Sequence, residues 1–143
     1  MIALVLDASL ALAWFFEREK PAEAERADRV LVTIASTKII VPSLWHIEVA
    51  NALLVGERRK VATRAQVDDY LTRLDRLSIA VDDDDNVLHA VRRDSILELA
   101  REHKLTTYDA TYLELSLRTG AVLATFDMPL ADAMRRAGGT VFD

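Results

Sequence analysis

The sequence predicts a single α/β domain over residues 1–143, with a mostly parallel central sheet and helices on both of its faces. Three observations predict it. Short apolar runs suited to buried strands alternate with longer segments of helical periodicity. The 143 residues suffice for one core and are too few for two ordinary domains. Half of the residues (51%) are hydrophobic, and no repeat, linker or low-complexity tract interrupts them.

Ile2–Asp7 (IALVLD) is a nearly continuous apolar run, as expected of a central parallel strand, and leads into the helical segment LALAWFF. Pro21 opens a second helix, PAEAERADRVLVTIAS, at a first-turn position that tolerates proline. Lys38–Val41 is a second strand, stopped by Pro42. Ser43 is then the expected N-cap of a long helix from Leu44 to about Lys60. Thr63 caps the next helix, in which Val67, Leu71, Leu74 and Leu77 keep helical spacing. Ile79–Val81 reads as a short strand ahead of the acidic run Asp82–Asp85, taken as a solvated turn. Helices over Val87–Lys104 and from Thr107 to near Gly120 follow. Ala121–Thr125 is a strand, LADAMRRAGG after Pro129 a helix with a glycine stop, and Thr140–Phe142 a final edge strand.

Composition excludes several chemistries. The chain has no cysteine, so disulfides, thiolate zinc and thiol nucleophiles are ruled out. His46, His89 and His103 lie far apart without an HxxxH pair. Any metal site must therefore be built mainly of oxygens, which favours magnesium, manganese or calcium over zinc or copper. No segment approaches the roughly 18–20 apolar residues of a membrane span. Met1–Leu6 lacks the basic start of a signal peptide, and a cytoplasmic location is expected. A net charge of −5 is unusual for a nucleic-acid binder, but four of those charges belong to the candidates below. Basic residues cluster at Arg58-Arg59-Lys60 with Arg64, at Arg73 and Arg76, at Arg92-Arg93 and at Arg135-Arg136. They read first as solvated helix faces and second as phosphate tracks.

Ligands of open parallel sheets bind beyond the carboxyl ends of the strands, and Asp7 and Asp127 fall at or just past two such ends. Asp7 has an ordinary alternative as a helix cap, and Thr106-x-x-Asp109 resembles a capping box. Asp109, Tyr112, Leu113 and Ser116 nevertheless share one stripe, which turns the carboxylate inward at a helix N-terminus. Glu48 is the acid an ordinary role explains worst. It shares a stripe with Leu44, Ile47, Asn51, Leu54 and Val55, while Trp45, Val49, Ala52 and Leu53 make the adjoining face apolar. That helix is expected to be buried on most sides, so Glu48 needs a partner, either an arginine or a metal ion. Asp28, Asp94 and Asp132 read as surface residues.

Around these acids the sequence resembles the PIN-domain nucleases, in particular the VapC-type toxins of toxin–antitoxin pairs. The matching blocks are VLDASLAL, PSLWHIEVANAL, TTYDATYLEL and LATFDMPLADA, in the family's order and spacing over nearly the whole chain. The resemblance implies a three-layer α/β/α domain in which Asp7, Glu48, Asp109 and Asp127 meet at one end of the sheet. It further implies magnesium or manganese held by those four, supporting polar residues Ser9, Asn51, Thr107 and Thr125, and hydrolysis of an RNA phosphodiester to a 5′-phosphate and a 3′-hydroxyl. A small antitoxin and a homodimer are the implied partners. Leu12, Trp14, Phe15, Phe16 and Trp45 offer apolar area, read first as core and second as the lining of an antitoxin groove. Phe126 departs from the family pattern, since many relatives carry a basic residue there. A haloacid dehalogenase-type phosphatase would need a second acid at Ser9, and a phospho-receiver domain would need adjacent acids near the first strand end. The alternatives that stay open are RNA processing outside toxin–antitoxin systems and a catalytically inactive binding module.

Overall fold

The computed structural model describes residues 3–82 and 89–143. Among the described residues four three-residue strands, β1 (Leu4–Leu6), β2 (Ile39–Val41), β3 (Ile79–Val81) and β4 (Val122–Ala124), form one sheet in the order β3-β2-β1-β4, every pair parallel. Parallel neighbours need crossovers, and helices supply them. These are α1 (Ala8–Leu12), α2 (Pro21–Ile34), α3 (Leu44–Arg58), α4 (Arg64–Leu74), α5 (His89–His103), α6 (Thr107–Thr119) and α7 (Met128–Arg136). The result is the expected three-layer α/β/α arrangement.

The strand between two neighbours and two helical layers must be apolar on both sides. Leu4, Val5 and Leu6 of β1 are all buried, whereas β3 at the sheet edge leaves Ala80 and Val81 exposed. Around β1 and β4 the core gathers Leu10, Trp45, Leu53, Leu113, Leu123, Leu130 and Met134. Trp45 is thus core, while Trp14, Phe15 and Phe16 are half-buried against it. At the end of α6 the backbone reverses through Gly120 at φ 67°, a left-handed conformation that glycine adopts without a Cβ penalty.

Several local expectations need correction. Ser43 stands at the N-cap of α3 but has helical backbone angles, and its hydroxyl caps nothing. By contrast Thr63 and Gln66 form a full capping box on α4. Helix α3 is not buried on most sides: Trp45, Val49, Leu53 and Gly56 face the core, but Ile47 is 72% exposed, and Asn51 and Leu54 are exposed too. Apolar residues do not by themselves bury a face; the packing of α3 against α1 and the sheet decides which stripe goes inside. The first helix ends at Leu12, short of Phe16, with the chain turned so that the Trp14 indole donates to the Ala27 carbonyl at 2.9 Å. The last strand reduces to one bridge, Leu123 to Val141. Asp82 is no solvated residue but is held by Arg92 at 3.0 Å and Arg118 at 2.7 Å; the rest of the acidic run, Asp83–Asp85, lies outside the described residues.

Candidate active site

Because every strand runs the same way, the residues that follow their carboxyl ends share one edge of the sheet. The register pairs Leu6 with Ala124, so the next residues, Asp7 and Thr125, stand side by side. The Asp7 amide donates to the Ala124 carbonyl at 2.9 Å. The Thr125 hydroxyl donates to Asp7 Oδ2 at 2.6 Å, and the Ser9 hydroxyl donates to the same oxygen at 2.8 Å. Asp7 stands at the N-cap of α1 but makes no side-chain cap hydrogen bond, and the Ser9 amide is the smallest of the influences on its carboxylate, after burial, the Thr125 and Ser9 hydroxyls and Asp127.

The other acids arrive on helices. Glu48 lies one turn into α3, half-buried, and Oε1 accepts a bond from the Tyr112 hydroxyl at 2.5 Å. Asp109 sits in the first turn of α6, where its amide, not its carboxylate, makes the cap bond to Thr106 Oγ1 at 3.1 Å. Asp127 does cap: its Oδ1 accepts the Leu130 amide at 2.9 Å at the start of α7. Its own amide donates to Thr125 Oγ1 at 2.9 Å, which links the first and last strand ends through one threonine.

Charge at this rim is uncompensated. Burial raises the Asp7 carboxyl above its usual range, the Thr125 and Ser9 hydroxyls pull it back, and the Asp127 charge pushes it up again. Glu48 is raised by burial first, eased by the Tyr112 hydroxyl, and raised by Asp7 and Asp109. Asp109 is raised by burial, then by Asp127 and Asp7, with Thr106 acting the other way. Tyr112, fully buried, is held well above its ordinary value by burial and by Glu48, and stays a proton donor. Among the described residues no Arg, Lys or His forms an ion pair with Asp7, Glu48, Asp109 or Asp127. The chain does neutralise acids elsewhere, where Arg118 holds both buried Glu114, at 2.7 Å, and Asp82.

Asp7 and Asp109 act on Glu48, and Asp127 acts on Asp7 and Asp109, yet among the described residues no group of three carboxylates or imidazoles converges tightly enough to enclose an ion. Asp7, Glu48 and Asp127 are each tethered by hydrogen bonding of their own. The donor set itself, carboxylate and hydroxyl oxygens only, fits a hard divalent cation.

A family model described as the PIN domain matches residues 4–134. The chain belongs to the PIN-domain family. It is 30% identical over 132 residues to Ribonuclease VapC3 of Pyrobaculum aerophilum, covering 90% of this chain and 92% of that protein. Among solved structures, PAE2754 from Pyrobaculum aerophilum is similar at a TM-score of 0.65 and 25% identity, over 92% of this chain and 79% of that one. FitAcB from Neisseria gonorrhoeae shares the fold at a TM-score of 0.64 and 14% identity, over 98% and 96% of the two chains.

In this PIN domain, then, hydrogen bonds join Asp7, Ser9, Thr125 and Asp127 at the sheet edge, and Glu48 and Asp109 come from α3 and α6 near enough to be influenced by Asp7. Asn51 and Thr107 are exposed, and among the described residues neither side chain bonds to any of the acids. Tyr112 is the member that sequence reading missed. It was placed in the inward stripe of its helix, and the available signal was a tyrosine one turn after Asp109, whose buried hydroxyl must find an acceptor. Among the described residues no helix is long and apolar enough to cross a membrane.

Proposed function

We propose that this PIN domain is a magnesium- or manganese-dependent endoribonuclease, the toxin member of a toxin–antitoxin pair. One observation carries the reading: four carboxylates from four separate segments share a sheet edge with no basic partner among the described residues. Such a cluster is costly unless a cation completes it. The 30% identity to a protein named a ribonuclease supplies the substrate class.

Asp7 and Asp109 would hold the ion directly, and Glu48 and Asp127 directly or through water. When bound, the ion supplies the positive charge the rim lacks and lowers the pKa of a water. Ser9 and Thr125 keep Asp7 Oδ2 aimed, and Tyr112 does the same for Glu48. Hydrolysis adds water across the P–O3′ bond; the phosphate stays on the 5′ end of the downstream fragment and the proton goes to the leaving 3′-oxygen. A small antitoxin protein and a second copy of the chain are the proposed partners.

The test is sequencing of 5′-phosphate RNA ends after brief expression, comparing wild type with Asp7→Asn. Wild type is expected to generate new ends at defined sites that the variant does not. Cleavage by Asp7→Asn at the wild-type rate in magnesium would refute the assignment.

A further inference from the structure

Beside the carboxylate rim lies a basic feature that the four acids do not use. Phe126 is held between Thr125 and Asp127, and its amide donates to Ser9 Oγ at 3.2 Å, so its backbone is fixed to the rim itself. Two guanidinium groups rest on its ring. The Arg18 carbon lies 4.6 Å from the ring centroid and the Arg26 carbon 4.7 Å. Arg18 comes from the loop before α2 and is also tied to Glu23, its Nε donating at 2.7 Å. Arg26, one turn into α2 and half-buried, has no ion pair and no hydrogen bond among the described residues.

A guanidinium on an aromatic face is positioned without spending its N–H donors, which stay directed outward in the plane of the group. Those donors match two oxygens of a phosphate. Among the described residues neither arginine forms an ion pair with Asp7, Glu48, Asp109 or Asp127; that of Arg18 is with Glu23. The arrangement thus seats Arg26, which among the described residues has no anionic partner, on the ring of a residue whose backbone is fixed to the carboxylate rim. A polynucleotide strand suits both, since successive phosphates occupy neighbouring positions along it.

We propose that Arg26, seated on the Phe126 ring with Arg18 beside it, forms a phosphate subsite for the nucleotide adjacent to the one at the carboxylates. This rests on the nuclease reading and extends it to how the RNA backbone is held. Arg26 is a binding residue here, and Phe126 is its positioning residue.

The experiment measures cleavage of a labelled single-stranded RNA by the full chain at saturating magnesium, over a series of NaCl concentrations. Arg26→Gln is expected to raise KM about 5- to 10-fold, with kcat within about twofold and the magnesium dependence unchanged. The slope of log KM against log salt is expected to fall by about 0.7, one single-strand phosphate contact. Arg26→Lys is expected to restore the slope. Phe126→Leu, which keeps both charges but removes the ring, is expected to raise KM by an intermediate factor. A KM and salt slope for Arg26→Gln equal to wild type would overturn the subsite. So would a loss confined to kcat or to magnesium affinity. Failure of wild type to cleave RNA would instead strike the nuclease reading. Anisotropy titration of the same oligonucleotide then decides the subsite alone: an unchanged salt slope in Arg26→Gln, or no binding at all, sinks it.

Discussion

Replacing Asp7 by asparagine is expected to move stability and activity in opposite directions. The carboxylate is buried, faces other acids and has no cation partner among the described residues. An uncompensated buried charge costs about 3–5 kcal/mol. Against that, two hydroxyl bonds at 2.6 and 2.8 Å revert from charge-assisted to neutral in the variant. Each such reversion loses about 1 kcal/mol. The balance is a metal-free protein more stable by about 1–3 kcal/mol, or about 3–9 °C in Tm for a chain of this size. The pH sign follows from the raised carboxyl. Below the ordinary aspartate value of 3.8, folded and unfolded chains both carry the proton and the penalty is absent. As pH rises past that value the unfolded chain ionises first, so wild-type stability falls until the folded group ionises as well. Thermal unfolding followed by circular dichroism, in chelator at pH 7.5 and again near pH 4, reads the gap between variant and wild type. The gap is expected to shrink in acid and to shrink again in magnesium, which stabilises wild type by about 2.7 kcal/mol at a hundred times its Kd. RNA cleavage by the variant is expected to drop by about 100-fold or more, the scale of losing one group that stabilises transition-state charge. A variant less stable than wild type in chelator at neutral pH, or a gap indifferent to pH, would refute the reasoning.

Tyr112→Phe keeps the buried ring and removes the hydroxyl that donates to Glu48 and that the Ala8 amide also approaches; it is expected to cost about 1–2 kcal/mol, near the lower end for a bond to a charged group because half-buried Glu48 can rehydrate. The same variant is expected to raise the magnesium concentration for half-maximal activity about tenfold, read from cleavage rates across a metal titration. Gly120→Ala has open space for its Cβ but places a side chain at φ 67°, so it is expected to cost about 1–2 kcal/mol by calorimetry while leaving cleavage unchanged.

The order of strands and helices was legible because the two periodicities differ and because Thr63, Thr106 and Gly120 mark helix ends by local chemistry alone. The meeting of Asp7 with Thr125 was legible only through family resemblance, since a register between strands 118 residues apart leaves no local trace. Glu48 attracted attention for a reason that holds in part: it does need a partner, which is a phenol rather than arginine, but the burial of its helix was overestimated. A run of acids suggests a solvated turn, but the partners that hold Asp82, Arg92 and Arg118, come from later helices and leave no trace beside it in the sequence. At Phe126 the missing positive charge was legible, but not the two guanidinium groups that reach its ring from before and within α2.

The adjacency of β1 and β4 has a temporal meaning. β1 pairs with β4, so this long-range ladder closes only once residues as far along as Ala124 are present. Contacts of such separation form late, after the entropy of a large loop has been overcome. A growing polypeptide therefore carries Asp7 and Glu48 long before it carries Thr125 and Asp127, and its carboxylate edge cannot assemble until β4 has been made.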